Sequence, residues 1–148
     1  MNRRRFLSFA ALAALSPRAF AQETPLVEVW RSPTCGCCGA WVKHLQENGF
    51  ATKVHMVDDT SAMRRAMGIP EALGSCHTAK VGGYAIEGHV PASDIRRLLA
   101  QRPKARGLAA PGMPAGSPGM DLPNSPPYEV VLVQEDGKAS VYARHVPR

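Results

Sequence analysis

Residues 26–49 read LVEVWRSPTCGCCGAWVKHLQENG, and this stretch decides the fold. It opens with a short apolar, β-branched run that is typical of a strand. The residues after the cysteines have helical spacing, with Trp41, Val42 and Leu45 on one face, and Gly49 can end the helix. The cysteines between the two elements would lie at the carboxyl end of a strand, where open α/β sheets bind ligands.

The rest of the core continues to alternate between strand and helix. The apolar pattern predicts a second strand at 51–57 and a second helix at 58–68. Two short strands joined by a Gly-Gly turn are predicted over 78–88, followed by a third helix at 91–102. The resulting order is βαβαββα, a parallel pair followed by an antiparallel hairpin. This order predicts an α/β domain with a thioredoxin-like core.

Two further segments complete the predicted single metal-binding domain, 22–148. Residues 105–127 are rich in glycine and proline and match no helix or strand period, so they predict a surface loop. Residues 128–145 alternate apolar and polar side chains on both sides of Asp136-Gly137. This pattern predicts a C-terminal β-hairpin added to the sheet.

The first 21 residues predict a cleaved export signal. A basic start is followed by a ten-residue apolar run from Phe6 to Leu15, and the small residues Ala19 and Ala21 fit cleavage after Ala21. A membrane-spanning helix needs about 20 apolar residues, so no permanent membrane anchor is expected. The protein is therefore expected in the periplasm. The arginines of RRRFL also resemble the twin-arginine export motif.

Cleavage of this signal changes the charge of the protein. The signal holds four arginines and no acidic residues, so the net charge falls from +6 in the full chain to +2. The mature sequence has no basic block with interleaved aromatic residues. Nucleic acid is therefore not an expected partner.

The chain has four cysteines, and the formation of structural disulfides is the first role to consider. Two disulfides would be usual for an exported protein. The spacing does not suit this role, because Cys37 and Cys38 are neighbours. A bond between Cys35 and Cys38 would close a very short loop, and short loops restrict the unfolded chain least.

Thiol redox chemistry is the second role. Cys35 and Cys38 form a C-x-x-C pair at the start of a helix, where a thiolate is favoured. Disulfide exchange needs only two thiols, so Cys37 is surplus to it. Cys76 stands before the third strand, where thioredoxin-fold exchange enzymes usually have a proline.

Metal binding uses all four cysteines, which are Cys35, Cys37, Cys38 and Cys76. Three thiolates on a tight turn and one from across the predicted cleft form a soft donor set that selects Cu(I), and also Zn(II) or iron–sulfur clusters. The Cys-x-Cys spacing lets sulfurs bridge metal ions, whereas zinc-finger and ferredoxin spacings do not match. Copper, as more than one Cu(I), is therefore the expected ligand, and zinc ranks second.

Five other side chains are weaker candidates as ligands. His77, Met113 and Met120 are further candidates, since imidazole and thioether groups also bind copper. On a strand, however, His77 would point away from Cys76. His44 is expected on the solvated face of its helix, and His89 is expected to order the turn before the third helix.

Four motifs stand in order along the chain. They are TCGCCGAW at 34–41, SCHTA at 75–79, GYAIEGHVP at 83–91 and GLAAPGMPAGSPGM at 107–120. Together they resemble the CopG-like family of periplasmic copper-tolerance proteins, long catalogued as a domain of unknown function. The resemblance implies a thioredoxin-like fold and a thiolate-bridged copper cluster on the four cysteines.

The resemblance also implies interconversion of Cu(I) and Cu(II), which would make the protein a copper oxidoreductase. Two alternatives stay open. One is a thiol–disulfide oxidoreductase that uses Cys35 and Cys38 and is indifferent to Cys76. The other is a passive copper chaperone without turnover. Copper ions and other periplasmic copper-handling proteins are the expected partners.

Overall fold

The structure, a computed structural model, describes residues 24–147. The predicted export signal, 1–21, lies outside the described residues. Across residues 24–147, every helix is too short or too polar to cross a membrane.

Seven strands form one sheet in the order β2-β1-β3-β4-β5-β6-β7. The strands are β1 (Leu26–Arg31), β2 (Ala51–Met56), β3 (His77–Val81), β4 (Tyr84–Glu87), β5 (Gly107–Ala109), β6 (Tyr128–Val133) and β7 (Ala139–His145). The helices are α1 (Gly36–Glu47), α2 (Ser61–Ala66) and α3 (Ala92–Gln101), with a 3₁₀ turn at Glu71–Leu73.

The predicted order of the first seven elements is confirmed. β1 and β2 are parallel, with α1 as their connection, and β3 pairs antiparallel with both β1 and β4. Because β1 and β3 run in opposite directions, Arg31 at the end of β1 lies opposite His77 at the start of β3. This register brings Cys76, just before β3, to the cysteine turn that follows β1.

One apolar core joins α1 and α3 to the sheet. The predicted inward residues Trp41, Leu45, Ile95 and Leu98 are fully buried, in a single cluster with strand residues such as Val29. Side chains of this size each contribute about 1.5–3 kcal/mol when buried. The core therefore fixes α1, and with it the cysteine turn at its first residues.

The expected loop at 105–127 is wrong at its beginning. Residues Gly107–Ala109 form β5, which is parallel to β4 and antiparallel to β6. A Cβ atom at Gly107 would lie 1.7 Å from the Ala85 carbonyl oxygen, so only glycine allows this close approach. The sequence did not indicate β5, because three residues are too few to show an alternating pattern and a glycine is typical of a turn. The predicted hairpin at 128–145 is present as β6 and β7.

Candidate metal centre

The C-x-C-C turn forms the first turn of α1. Cys35 is the N-cap residue, and its Sγ accepts a hydrogen bond from the Cys38 backbone N–H at 3.3 Å. The Arg31 guanidinium donates to the Cys35 carbonyl at 2.7 Å. The end of β1 and the start of α1 are thus tied together.

Two of the cysteines are joined and two are free. Cys35 and Cys38 form a disulfide, while Cys37 and Cys76 are free thiols. The Sγ atom of Cys37 lies 3.5 Å from that of Cys35. The turn therefore holds an oxidised C-x-x-C pair with a third sulfur against it.

Cys76 completes the sulfur cluster from just before the start of β3, the strand next to β1. The four sulfurs, which belong to Cys35, Cys37, Cys38 and Cys76, all lie within 4.8 Å of one another. Cys38 is buried, and the other three are partly exposed. A soft, thiolate-only donor set fits copper once the disulfide is reduced. All four predicted site residues are brought together.

The sulfur of Cys76 also lies against two histidines. Its Sγ is 3.4 Å from Nδ1 of His77 and 3.1 Å from Nε2 of His89. Both imidazoles are fully buried, and this burial lowers the pKa of His77 to about 3 and lowers the pKa of His89 as well. Both rings are therefore neutral at physiological pH, the form that binds metals.

The structure corrects two expectations about these histidines. His77 does not point away from Cys76, because Cys76 lies on the bend before β3, where strand alternation does not apply. His89 lies at the sulfur cluster, although the sequence suggested only a role in a turn. His89 is 13 residues from Cys76 in the sequence, and no local pattern predicts that the two side chains meet. They meet because β3 pairs with β4.

His44 is also placed differently from the expectation. It is half-buried, and its Nε2 accepts a hydrogen bond from the Ala92 backbone N–H at 3.1 Å. Burial lowers the pKa of His44, which keeps Nε2 free to accept. His44 therefore caps the start of α3 instead of facing solvent.

The Gly/Pro segment after β5 passes over the cysteine turn. A Cβ atom at Gly119 would lie 2.7 Å from the Cys37 carbonyl oxygen and 3.0 Å from the Trp41 backbone nitrogen. Of the two candidate methionine ligands, Met113 is 54 % exposed, and Met120 directly follows Gly119. This segment forms one wall of the site.

The chain resembles a known protein family and two solved structures. Residues 73–120 match the family described as protein of unknown function DUF411, whereas no curated protein matches. Two solved structures, titled "Copper resistance protein copG- Form 1" and "Copper resistance protein copG- Form 2", are each 44 % identical in sequence, with TM-scores of 0.79. The matches cover 85 % and 84 % of this chain, respectively, and 100 % of each solved chain. The chain therefore belongs to the CopG-like family of copper resistance proteins.

Proposed function

We propose that this protein binds copper through Cys35, Cys37, Cys38 and Cys76 and acts in copper tolerance. The family and the cysteine cluster support a copper-related function. The observation that carries the proposal is the approach of four sulfurs to within 4.8 Å of one another. Such a set holds Cu(I) in preference to hard cations, because thiolate is a soft ligand.

The proposed form of the site is a thiolate-bridged cluster of more than one Cu(I). Cys35 and Cys37 support bridging, because their sulfurs are 3.5 Å apart and both are partly exposed. The partial exposure also leaves a path for copper to enter and leave. Zinc remains the second metal, since it also accepts thiolate ligands.

The disulfide gives the proposed site two states. Reduction of the Cys35–Cys38 bond takes two electrons and yields the two thiolates that complete the donor set. Oxidation of the same two thiolates would release two electrons, enough to reduce two Cu(II) to two Cu(I), and would leave Cys37 and Cys76 as the free thiols. A redox-active pair within the donor set supports copper interconversion as the finer proposed activity.

The proposed location is the periplasm, reached by the predicted signal at 1–21. The twin-arginine route remains a prediction from RRRFL. Other periplasmic copper-handling proteins are the proposed exchange partners, and the partly exposed cysteines offer them copper.

An anaerobic titration tests copper binding. Reduced residues 22–148 are titrated with Cu(I) against a calibrated chelator, and bound copper is counted by elemental analysis. More than one tightly bound Cu(I) per chain is expected, and Cys76→Ser should lower that number. Ser140→Ala, at an exposed position of the edge strand β7, serves as the matched control. Unchanged copper binding in both Cys38→Ser and Cys76→Ser would refute the site.

Thiol–disulfide exchange is the second candidate function. The Cys35–Cys38 disulfide favours it, because a C-x-x-C pair at a helix start is the redox unit of such enzymes. A redox titration in defined thiol buffers separates the candidates. A reversible Cys35–Cys38 couple that reduces a protein disulfide equally well in wild type and Cys76→Ser would favour exchange. A passive chaperone would bind Cu(I) without oxidising or reducing copper.

A further inference from the structure

Cys76 lies on a bend between the 3₁₀ turn and β3, outside every helix and strand. Its place therefore depends on what holds Ser75, the residue before it. The Ser75 N–H donates to Glu87 Oε1 at 2.7 Å, and the Ser75 carbonyl accepts from Arg64 Nη2 at 2.7 Å. The N–H and the carbonyl of Ser75, next to Cys76, are thus each bound by a side chain.

These two side chains form a buried ion pair. The Arg64 Nε donates to Glu87 Oε1 at 2.8 Å, and the side chains are only 7 % and 0 % exposed. The second Glu87 oxygen accepts from the Thr78 hydroxyl at 2.6 Å. A buried ion pair is often no more stabilising than apolar residues of the same volume. Overall stability is therefore a poor explanation for this pair.

The hydrogen-bond geometry explains the buried ion pair better than stability does. The planar guanidinium has several donors in a fixed arrangement, so Arg64 binds Glu87 and the Ser75 carbonyl at the same time. Glycines let the partners approach closely. A Cβ at Gly74 would lie 2.8 Å from the Arg64 guanidinium, and one at Gly88 would lie 2.5 Å from the Ser75 side chain.

The opposite side of Ser75 is held by the Gly/Pro segment. Gly112 forms a parallel bridge with Ser75, and its N–H donates to the Gly74 carbonyl at 2.9 Å. The Ser75 hydroxyl donates to the Gly112 carbonyl. The bend that carries Cys76 is therefore fixed between the ion pair and this segment.

We propose that Arg64 and Glu87 are positioning residues that hold Cys76 within reach of the other three copper-binding cysteines. This inference rests on the proposed copper function. A ligand held in place before binding loses less conformational freedom when the metal arrives. Loss of supporting contacts around metal ligands typically lowers metal affinity by about 10-fold to 100-fold.

The first test measures Cu(I) affinity of Arg64→Lys and Glu87→Gln by chelator competition. Lysine keeps the charge but lacks the forked donors, and glutamine keeps the size but lacks the charge. Both variants should bind Cu(I) about 10-fold to 100-fold more weakly. Glu71→Gln is the matched control, because Glu71 also binds Arg64, whereas the Ser75 backbone is bound by Arg64 and Glu87. It should keep the wild-type affinity.

A second background separates positioning from general damage. In Cys76→Ser, copper held by the remaining cysteines should be insensitive to Arg64→Lys, because the ligand that Arg64 positions is gone. An equal loss of affinity with and without Cys76 would show a general structural effect and would overturn the proposal. Thermal unfolding of each variant reports the stability of the domain alongside.

A third measurement needs no copper. In Cys37→Ser with the Cys35–Cys38 disulfide intact, Cys76 is the one free thiol of the chain. Its alkylation by iodoacetamide should become faster with Arg64→Lys and stay unchanged with Glu71→Gln. This assay tests whether Arg64 positions Cys76 even if the wild-type protein binds no copper. An absence of copper binding would refute only the proposed function.

Two results would overturn the positioning role. One is unchanged alkylation and unchanged copper affinity in both ion-pair variants. The other is loss of folding in both variants, since the pair would then hold the whole domain and not Cys76 in particular.

Discussion

The surroundings of Cys76 oppose the ionisation of its thiol. Burial, and after it the nearby Cys37, raises the pKa of its thiol to about 12. The thiol is therefore protonated at neutral pH before metal binds. Two neutral imidazoles, of His77 and His89, lie against it and supply no positive charge that would lower this pKa.

Copper binding at Cys76 is therefore expected to release a proton. The metal binds the thiolate, and the thiolate fraction rises about tenfold per pH unit below the pKa. Apparent Cu(I) affinity should accordingly increase with pH through the neutral range, and Cys76→Ser should reduce the slope by one proton. Calorimetry in buffers of different ionisation enthalpy counts the protons. Equal proton release in wild type and Cys76→Ser would contradict this account.

Among the elements, α1 supports both the cysteine turn and α3. Its first turn holds the C-x-C-C motif, and its last turn carries His44, which accepts from the Ala92 N–H at the start of α3. Pro91, the N-cap residue of α3, has no side chain that could satisfy this donor. The imidazole of α1 therefore replaces the usual capping side chain.

His44→Ala should destabilise the domain. The Ala92 N–H loses its acceptor, and loss of a helix cap costs about 0.5–2 kcal/mol. Urea unfolding of the metal-free protein measures the free energy of unfolding. The neighbouring Lys43→Ala, at a side chain that is 75 % exposed, is the matched control and should change it little. A similar loss in both variants would rule out the capping role.

At the scale of the whole molecule, β5 joins the two parts of the sheet. It lies between β4 of the βαβαββα core and β6 of the C-terminal hairpin. The close approach of Gly107 to Ala85 makes this junction possible. The same connection carries the Gly/Pro segment from β5 across the bend before Cys76 and the turn of Cys37.

Gly107→Ala should therefore disrupt the sheet as a whole. The added Cβ would overlap the Ala85 carbonyl oxygen, so the backbone must move, and we expect a loss of about 3 kcal/mol or more in unfolding free energy. Gly36→Ala is the control, since nothing lies within 4 Å of its added Cβ. Chemical denaturation compares the two variants. Equal stability of Gly107→Ala and wild type would contradict the role of β5 as a junction.

Much of this architecture could be predicted from the sequence because its signals are local. Trp41, Val42 and Leu45 have helical spacing, and the alternating residues around Asp136-Gly137 indicate a hairpin, so both elements follow from neighbouring side chains. The cysteine turn could be placed in the same way, at the junction of β1 and α1. The soft donor chemistry of the four cysteines also follows from their side chains alone.

Tertiary structure decided what depends on contacts between distant segments. The antiparallel register of β1 and β3 brings Cys76 to the turn, and pairing of β3 with β4 brings His89 to Cys76. Arg64 had no sequence signal as a buried residue, because its partner Glu87 is 23 residues away and the pair forms only when α2 packs against the sheet beside β3. The sequence by itself therefore determined the elements of the βαβαββα core, the hairpin and the soft donor chemistry of the cysteines. Only the packed sheet determined β5 and which side chains surround the sulfurs, because both depend on contacts between distant segments.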